Sequence, residues 1–191
     1  MTNKILFCKI KPMKYYKGVT DDEPVEMPEG FDYLGEQYNF KYVIENGKKI
    51  CRGYFENHGN NVLIENIDEN AKLSDLIDDV LVVWFARYEG IGNLIVGWYK
   101  HATVYRHLQK NPDWYYITAN IENCVLLSEE ARKLWKVPYS KKDGYGFGMS
   151  NIWYAREEKA ENYVESLIKR INNYNWIDKY PVDFQKGKQN V

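Results

Sequence analysis

Val80-Leu81-Val82-Val83-Trp84-Phe85-Ala86 is an unbroken run of β-branched, aliphatic and aromatic residues. Alternating apolar and polar residues mark a strand with one wet face; a continuous apolar run of this length marks one buried on both. The chain must therefore cover this strand from two sides. Glu89-Gly90-Ile91-Gly92-Asn93 follows as a turn, and Leu94–Tyr99 reads as the antiparallel partner. The pair is expected in the middle of a sheet.

Other strands gather around it. Ile5–Ile10 reads as a first strand, ended by Pro12. Tyr38–Val43 and Lys49–Phe55 read as a hairpin about Asn46-Gly47, a dipeptide suited to a two-residue turn. Val62–Ile67 reads as a short strand and Leu73–Ile77 as one helical turn. Thr103–Arg106 extends the central sheet, and Tyr115–Ala119, Cys124–Leu127 and Asn151–Ala155 add strands. Ser128 is placed to cap a short helix, and Tyr139–Ser150 is a glycine-rich loop. Glu157–Tyr174 is the one long helix, with Tyr163, Val164, Leu167, Ile168 and Ile171 as its apolar stripe. Residues 20–35 read as a long acidic loop, and the tail from Asn175 as polar apart from Trp176, Ile177 and Phe184. Many short strands with few helices predict an α+β fold: a twisted sheet or small barrel flanked by short helices, with a longer C-terminal helix. The 191 residues suit a single domain, 1–191, with its core in 4–155 and the helix and tail in 156–191.

Cysteine count bounds the compartment. Cys8, Cys51 and Cys124 are odd in number, widely spaced and free of any Cys-x-x-Cys pair. That suits reduced thiols in a cytoplasmic protein, not a disulfide or zinc framework. No apolar run approaches the roughly 20 residues that span a bilayer, and the N-terminus lacks a signal-peptide pattern. Net charge is −1, yet the charges are segregated. Lys4, Lys9, Lys11, Lys14 and Lys17 are the charges of the first basic stretch; Lys100, Arg106 and Lys110 form a second. Acidic residues fill Asp21–Glu36 and most of Glu65–Asp79. Such patterning gives a neutral protein one positive face, or simply several solvated ones.

Catalytic signatures are missing. His58, His101 and His107 form no metal-ligand spacing, and there is no His-Glu-x-x-His, Gly-x-Ser-x-Gly or P-loop. Gly144-Tyr145-Gly146-Phe147-Gly148 follows no predicted strand and opens no helix, so it is not a dinucleotide cradle. No cofactor and no catalytic residue is expected, and enzyme is the weaker class.

The sequence carries 17 Tyr and 6 Trp, more than a core requires, and two segments concentrate them with small and polar residues. In Gly97-Trp98-Tyr99-Lys100, the glycine leaves sheet surface bare beside two aromatics on opposite faces; Lys100 and Arg106 stand ready for phosphates. In Ser150-Asn151-Ile152-Trp153-Tyr154, two hydrogen-bonding side chains able to read a base edge precede two stacking groups. The two segments are expected to converge on one concave site with a tryptophan face open to it. The alternative is that Trp98 and Trp153 fill the core.

These residues also carry a resemblance. Asp79–Ala86, the glycine turn and Leu94–Tyr99 resemble the central hairpin of PUA-superfamily domains of the EVE and YTH type, and Ile5–Tyr15 is similar to their first strand. Gly97-Trp98-Tyr99-Lys100-x-Ala102-Thr103-Val104-Tyr105-Arg106 and Gly148-x-Ser150-Asn151-x-Trp153-Tyr154-Ala155 look like motifs of a bacterial family associated with modification-dependent restriction and phage defence. The resemblance implies a PUA-like β-barrel with an aromatic cage that holds a flipped, modified base, methylated or hydroxymethylated, in DNA, with RNA as the alternative. The expected base-binding residues are Trp84, Trp98, Tyr99, Ser150, Asn151, Trp153 and Tyr154; Lys14, Lys100 and Arg106 are expected on phosphates. A nuclease or AAA-type motor encoded nearby is the expected partner, and no membrane is involved. A protein-interaction subunit, or an enzyme on nucleic acid, remains the other reading.

Overall fold

The central hairpin is built as its sequence requires. In a computed structural model, which describes residues 4–21, 23, 35–111, 113–175 and the backbone of 179–180, β4 (Leu76–Tyr88) pairs antiparallel with β5 (Gly92–Gln109). β1 (Ile5–Ile10) runs parallel to β4 on its other side, and β8 (Ile152–Trp153) pairs with β1. β5 carries β6 (Tyr115–Asn120) along its C-terminal half and β7 (Cys124–Leu127) along its middle. Beyond β6 lie β3 (Lys48–Gly53) and β2 (Tyr42–Glu45), joined by Asn46-Gly47 with φ of 49° and 77°. Positive φ at both central residues is what a type I′ hairpin turn demands. A two-residue strand β9 (Lys179–Tyr180) pairs with β7.

The path runs β2-β3-β6-β5-β4-β1-β8, and among the described residues its two ends do not pair. The fold is α+β, mostly strands with few helices, and the sheet is open where a closed barrel was expected. Three helices are described: α1 (Glu129–Arg132), α2 (Ser140–Asp143) and α3 (Glu161–Asn172). Ser128 caps α1, its Oγ accepting the Ala131 N–H at 3.3 Å. Val164, Leu167 and Ile171 bury the stripe of α3, which begins four residues later than its sequence suggests because a 3-10 turn, Glu158–Ala160, precedes it. No described helix is long and apolar enough to cross a membrane.

Strand alternation sorts the apolar side chains into two cores. Leu6, Cys8, Val82, Trp84, Ala86, Val96 and Tyr99 face one, closed by Tyr16, Phe40, Phe55 and Ile64. Ile5, Phe7, Val83, Phe85, Ile95 and Trp98 face the other, closed by Trp135, Phe147, Trp153 and α3. Four local expectations differ. Tyr38 ends a 3-10 turn, so β2 begins only at Tyr42, and α2 forms inside the expected loop Tyr139–Ser150. Ile64–Asn66 is a 3-10 turn, not a strand, because Ile64 and Ile67 both plug the first core. The residues read as a helical turn at Leu73–Ile77 instead enter β4 at Leu76. The tail residues Trp176, Ile177 and Phe184, and residues 22 and 24–34 of the acidic loop, lie outside the described residues.

Gly97 marks the tightest packing. It sits opposite Trp84 in the β4–β5 ladder, and a Cβ there would collide with the Val125 carbonyl oxygen and lie 2.7 Å from Phe40 Cζ. Backbone cannot yield as a side-chain tip can. Gly97→Ala should therefore lose about 1–3 kcal/mol of stability, the range for overpacking. Urea unfolding with an unchanged m value checks this; a loss within about 0.5 kcal/mol would contradict it.

Candidate nucleobase-binding cavity

The aromatic motifs are packed inside. Trp84 and Tyr99 are 0% exposed in the first core, and Trp98 (1%) and Trp153 (6%) lie in the second. Trp98 packs on Trp135 at 5.1 Å and edge-on to Tyr174 at 5.2 Å. Trp153 packs on Phe7 at 4.5 Å with the rings tilted by 36°, and donates its indole N–H to Glu157 at 3.0 Å. Tyr99 gives its hydroxyl to the Asn39 carbonyl. Trp84 differs: its buried indole N–H has no hydrogen-bond partner among the described residues. Tyr154 is half-buried; its hydroxyl accepts the Leu63 N–H at 3.0 Å, and burial first of all pushes it up to about 12. Asn151 donates to the Glu56 carbonyl at 2.7 Å, while Ser150 is exposed and turns its Oγ to the Ile152 N–H at 3.2 Å. So the two motifs do meet in the same layers, Trp98 with Trp153 and Tyr99 with Tyr154, but they meet as core, without an open tryptophan face between them.

The expected phosphate contacts are also dispersed. Arg106 is spent on structure: it pairs with Glu65 at 2.7 Å and donates to the carbonyls of Ser74, Ala71 and Lys72 at 2.9 to 3.1 Å. The Lys14 ammonium lies 4.8 Å over the Tyr15 ring, and Lys100 is half-buried on β5. The basic segment and the acidic loop touch: Glu23 accepts the N–H groups of Lys14 and Tyr15, and Glu36 accepts that of Lys11 at 2.7 Å.

A different set of residues forms a cavity. Gly35, Tyr38, Lys41, Val43, Arg52, Asp113 and Trp114 line a half-open space of about 280 Å³. Each side chain is fixed by local geometry. The 3-10 turn Gly35–Tyr38 presents Tyr38. It is anchored by Glu36, buried, whose carboxylate also takes the Glu56 N–H at 3.3 Å, and by the Gly18 N–H on the Gln37 carbonyl at 2.8 Å. Gly18, with φ of 92°, lets the Tyr38 ring lie close; a Cβ would stand 2.9 Å from its Cε1. Just beyond, Asn39 trades two 2.8 Å hydrogen bonds with the backbone of Tyr54, which fixes the approach to β2.

Arg52 projects from β3. Its guanidinium is held by Glu45 and, at 2.6 Å, by Asp113, and lies 5.1 Å from the Tyr115 ring centre. Planar guanidinium held on two sides is a rigid donor array. Trp114 is 45% exposed, with the Lys110 ammonium 5.7 Å from its ring, and the Lys41 ammonium is 5.3 Å from Tyr38. The cavity thus combines two aromatic walls, a lysine, and an arginine N–H beside a carboxylate oxygen. No acid, histidine or cysteine cluster able to hold a metal exists among the described residues. Sequence reading missed this set because its members come from three separate segments. One signal was present: Asp113-Trp114 sits in the turn before β6, outside any strand alternation, where a tryptophan has no core to enter.

Two outcomes follow from this geometry. Trp153→Ala should cost about 3–5 kcal/mol of stability in chemical denaturation, as emptying a core indole does; a loss below about 1 kcal/mol would mean that the ring is not packed. Glu36 should give pH dependence. Burial, offset in part by the Lys11 and Glu56 N–H groups, holds its carboxyl above the usual 4.5. The folded state then binds that proton more tightly than the unfolded chain. Its stabilising contribution is complete below pH 4.5 and is lost as pH rises through the raised folded value. Glu36→Gln should flatten that fall in urea midpoints; an unchanged slope would refute it. Comparison with known proteins finds no family model, no curated protein and no solved structure that matches the chain.

Proposed function

We propose that the protein is a non-catalytic nucleic-acid-binding module that takes one nucleobase, a modified one, into the cavity lined by Tyr38, Lys41, Arg52, Asp113 and Trp114. The observation that carries this reading is the Arg52–Asp113 pair beside two aromatic rings. A nucleobase is flat and carries hydrogen-bond donors next to acceptors along its edge. Arg52 and Asp113 offer an acceptor next to a donor, and aromatic faces stack bases of any kind. The cavity volume lies at the small end of ligand sites, which suits a base or nucleoside better than an extended cofactor. An aromatic cage for a quaternary ammonium would need an electronegative lining; with Arg52 paired to Asp113, Lys41 leaves the lining net positive.

The modified-base part of the proposal, and the PUA-like fold that goes with it, rest on the resemblance of the central hairpin and of the two aromatic motifs. In this reading Trp84, Trp98, Tyr99 and Trp153 hold the scaffold, and the cage is built at its edge. The role is that of a sensor in restriction or phage defence, supplying specificity to a nuclease or motor encoded nearby.

Titration with short DNA and RNA oligonucleotides at fixed salt tests it, each plain, methylated or hydroxymethylated at one base. Trp114→Ala should weaken binding about tenfold, the loss of one stacked base, and should leave the protein folded, because the ring is 45% exposed and belongs to neither core. Lys41→Gln should weaken all sequences alike and reduce the salt slope by about one. A folded Trp114→Ala protein with undiminished affinity would remove the cavity from consideration.

A further inference from the structure

The cavity is one end of a strip. Its Arg52 also lies against Tyr115, and Tyr115 meets Tyr105 edge-on, with ring centres 5.7 Å apart. Arg52 stands on β3, Tyr115 on β6 and Tyr105 on β5, three neighbouring strands of one sheet. Both tyrosines are half-buried, so each residue keeps some solvent-accessible area. Lys41 and Lys110 flank the cavity end, both exposed. A run of aromatic and cationic groups across an open sheet face is a surface on which successive bases stack while their phosphates meet the lysines.

Taking the cavity as a base site, as proposed above, we infer that the ligand is single-stranded, with Tyr115 and Tyr105 stacking the nucleotides adjacent to the base in the cavity. Neighbours of a base flipped from a duplex stay paired within the helix, where a row of rings on a sheet surface cannot lie against them. A row of aromatic groups on the protein is useful only to unpaired neighbours. The length follows from strand spacing. Strands lie about 4.8 Å apart, so β3 to β5 spans roughly 10 Å; the cavity base, Tyr115 and Tyr105 together then take about three nucleotides.

The test is binding of a nucleoside monophosphate and of homopolymeric DNA and RNA of about two to six nucleotides, with a hairpin duplex as competitor. Affinity should rise with length to about three or four nucleotides and then level, and the duplex should compete poorly. Tyr105→Ala and Tyr115→Ala should each weaken the tetranucleotide about tenfold and the mononucleotide little. Tyr→Phe at either position should restore binding, since stacking needs the ring and not the hydroxyl, and Tyr→Leu should not; this pair separates stacking from loss of fold. A mononucleotide bound as tightly as the tetramer, or a duplex that competes equally, would overturn the strip while leaving the cavity reading intact. No binding of any of these, with the protein folded, would overturn both.

Discussion

Everything in this protein hangs on the β4–β5 ladder being buried on both faces. Because side chains alternate, a strand without polar residues cannot choose a solvent side. Val82, Trp84 and Ala86 go one way; Val83 and Phe85 go the other. The register shift after Trp84 keeps this sorting in β5, where Ile95 and Trp98 share the helix side while Val96 and Tyr99 share the opposite one. Glycine makes the large rings fit. Gly97 faces Trp84 across the ladder, and a Cβ on Gly53 would be 2.5 Å from its indole. The bare glycine beside Trp98 is thus a packing device, admitting the Val125 carbonyl and Phe40 in place of a ligand.

Two buried charges join the covering segments to that core. Arg132 is 1% exposed and sends its guanidinium to the carbonyls of Leu127, Met13 and Lys14 and to the Tyr88 hydroxyl, at 2.6 to 3.0 Å. Glu36 answers from the other side by accepting N–H groups of Lys11 and Glu56. Buried ionic groups are tolerable only when their hydrogen bonds are filled. Here they fasten the irregular segment after β1, which among the described residues belongs to no strand and would otherwise leave backbone groups unpaired. The turn that carries Glu36 also carries Tyr38, so the wall of the cavity and the closure of the core depend on one carboxylate.

The cavity itself stands at the sheet's far side, where β2 and β3 leave the doubly covered centre. Side chains there face solvent on one side, and Arg52, Tyr105 and Tyr115 share that face. Burial decides the division of labour: aromatics near β4 are structural because two layers close over them, and those near β3 and β6 are available because only one layer does.

The sequence by itself determined the elements whose signals are local. Continuous hydrophobicity gave β4 its two-sided burial, Asn46-Gly47 the β2–β3 turn, Ser128 the cap of α1, and the spacing of Val164, Leu167 and Ile171 the buried side of α3. Such features depend on a few adjacent residues, so they can be read without knowing the rest. Tertiary structure alone decided whether a tryptophan faces a ligand or a neighbour. Trp98 and Trp153 stand in promising motifs, yet Trp135 and Tyr174 close over the first and Phe7 over the second, all contributed from far along the chain. Arg106 looked like a phosphate ligand until the 65–74 segment folded back on it, and Arg52 and Asp113, separated by 61 positions, came into contact only when β3 paired with β6. Openness of the sheet is of the same kind: it depends on which distant edges meet, and hydrophobic pattern records how deeply a strand is buried, not what lies beside it.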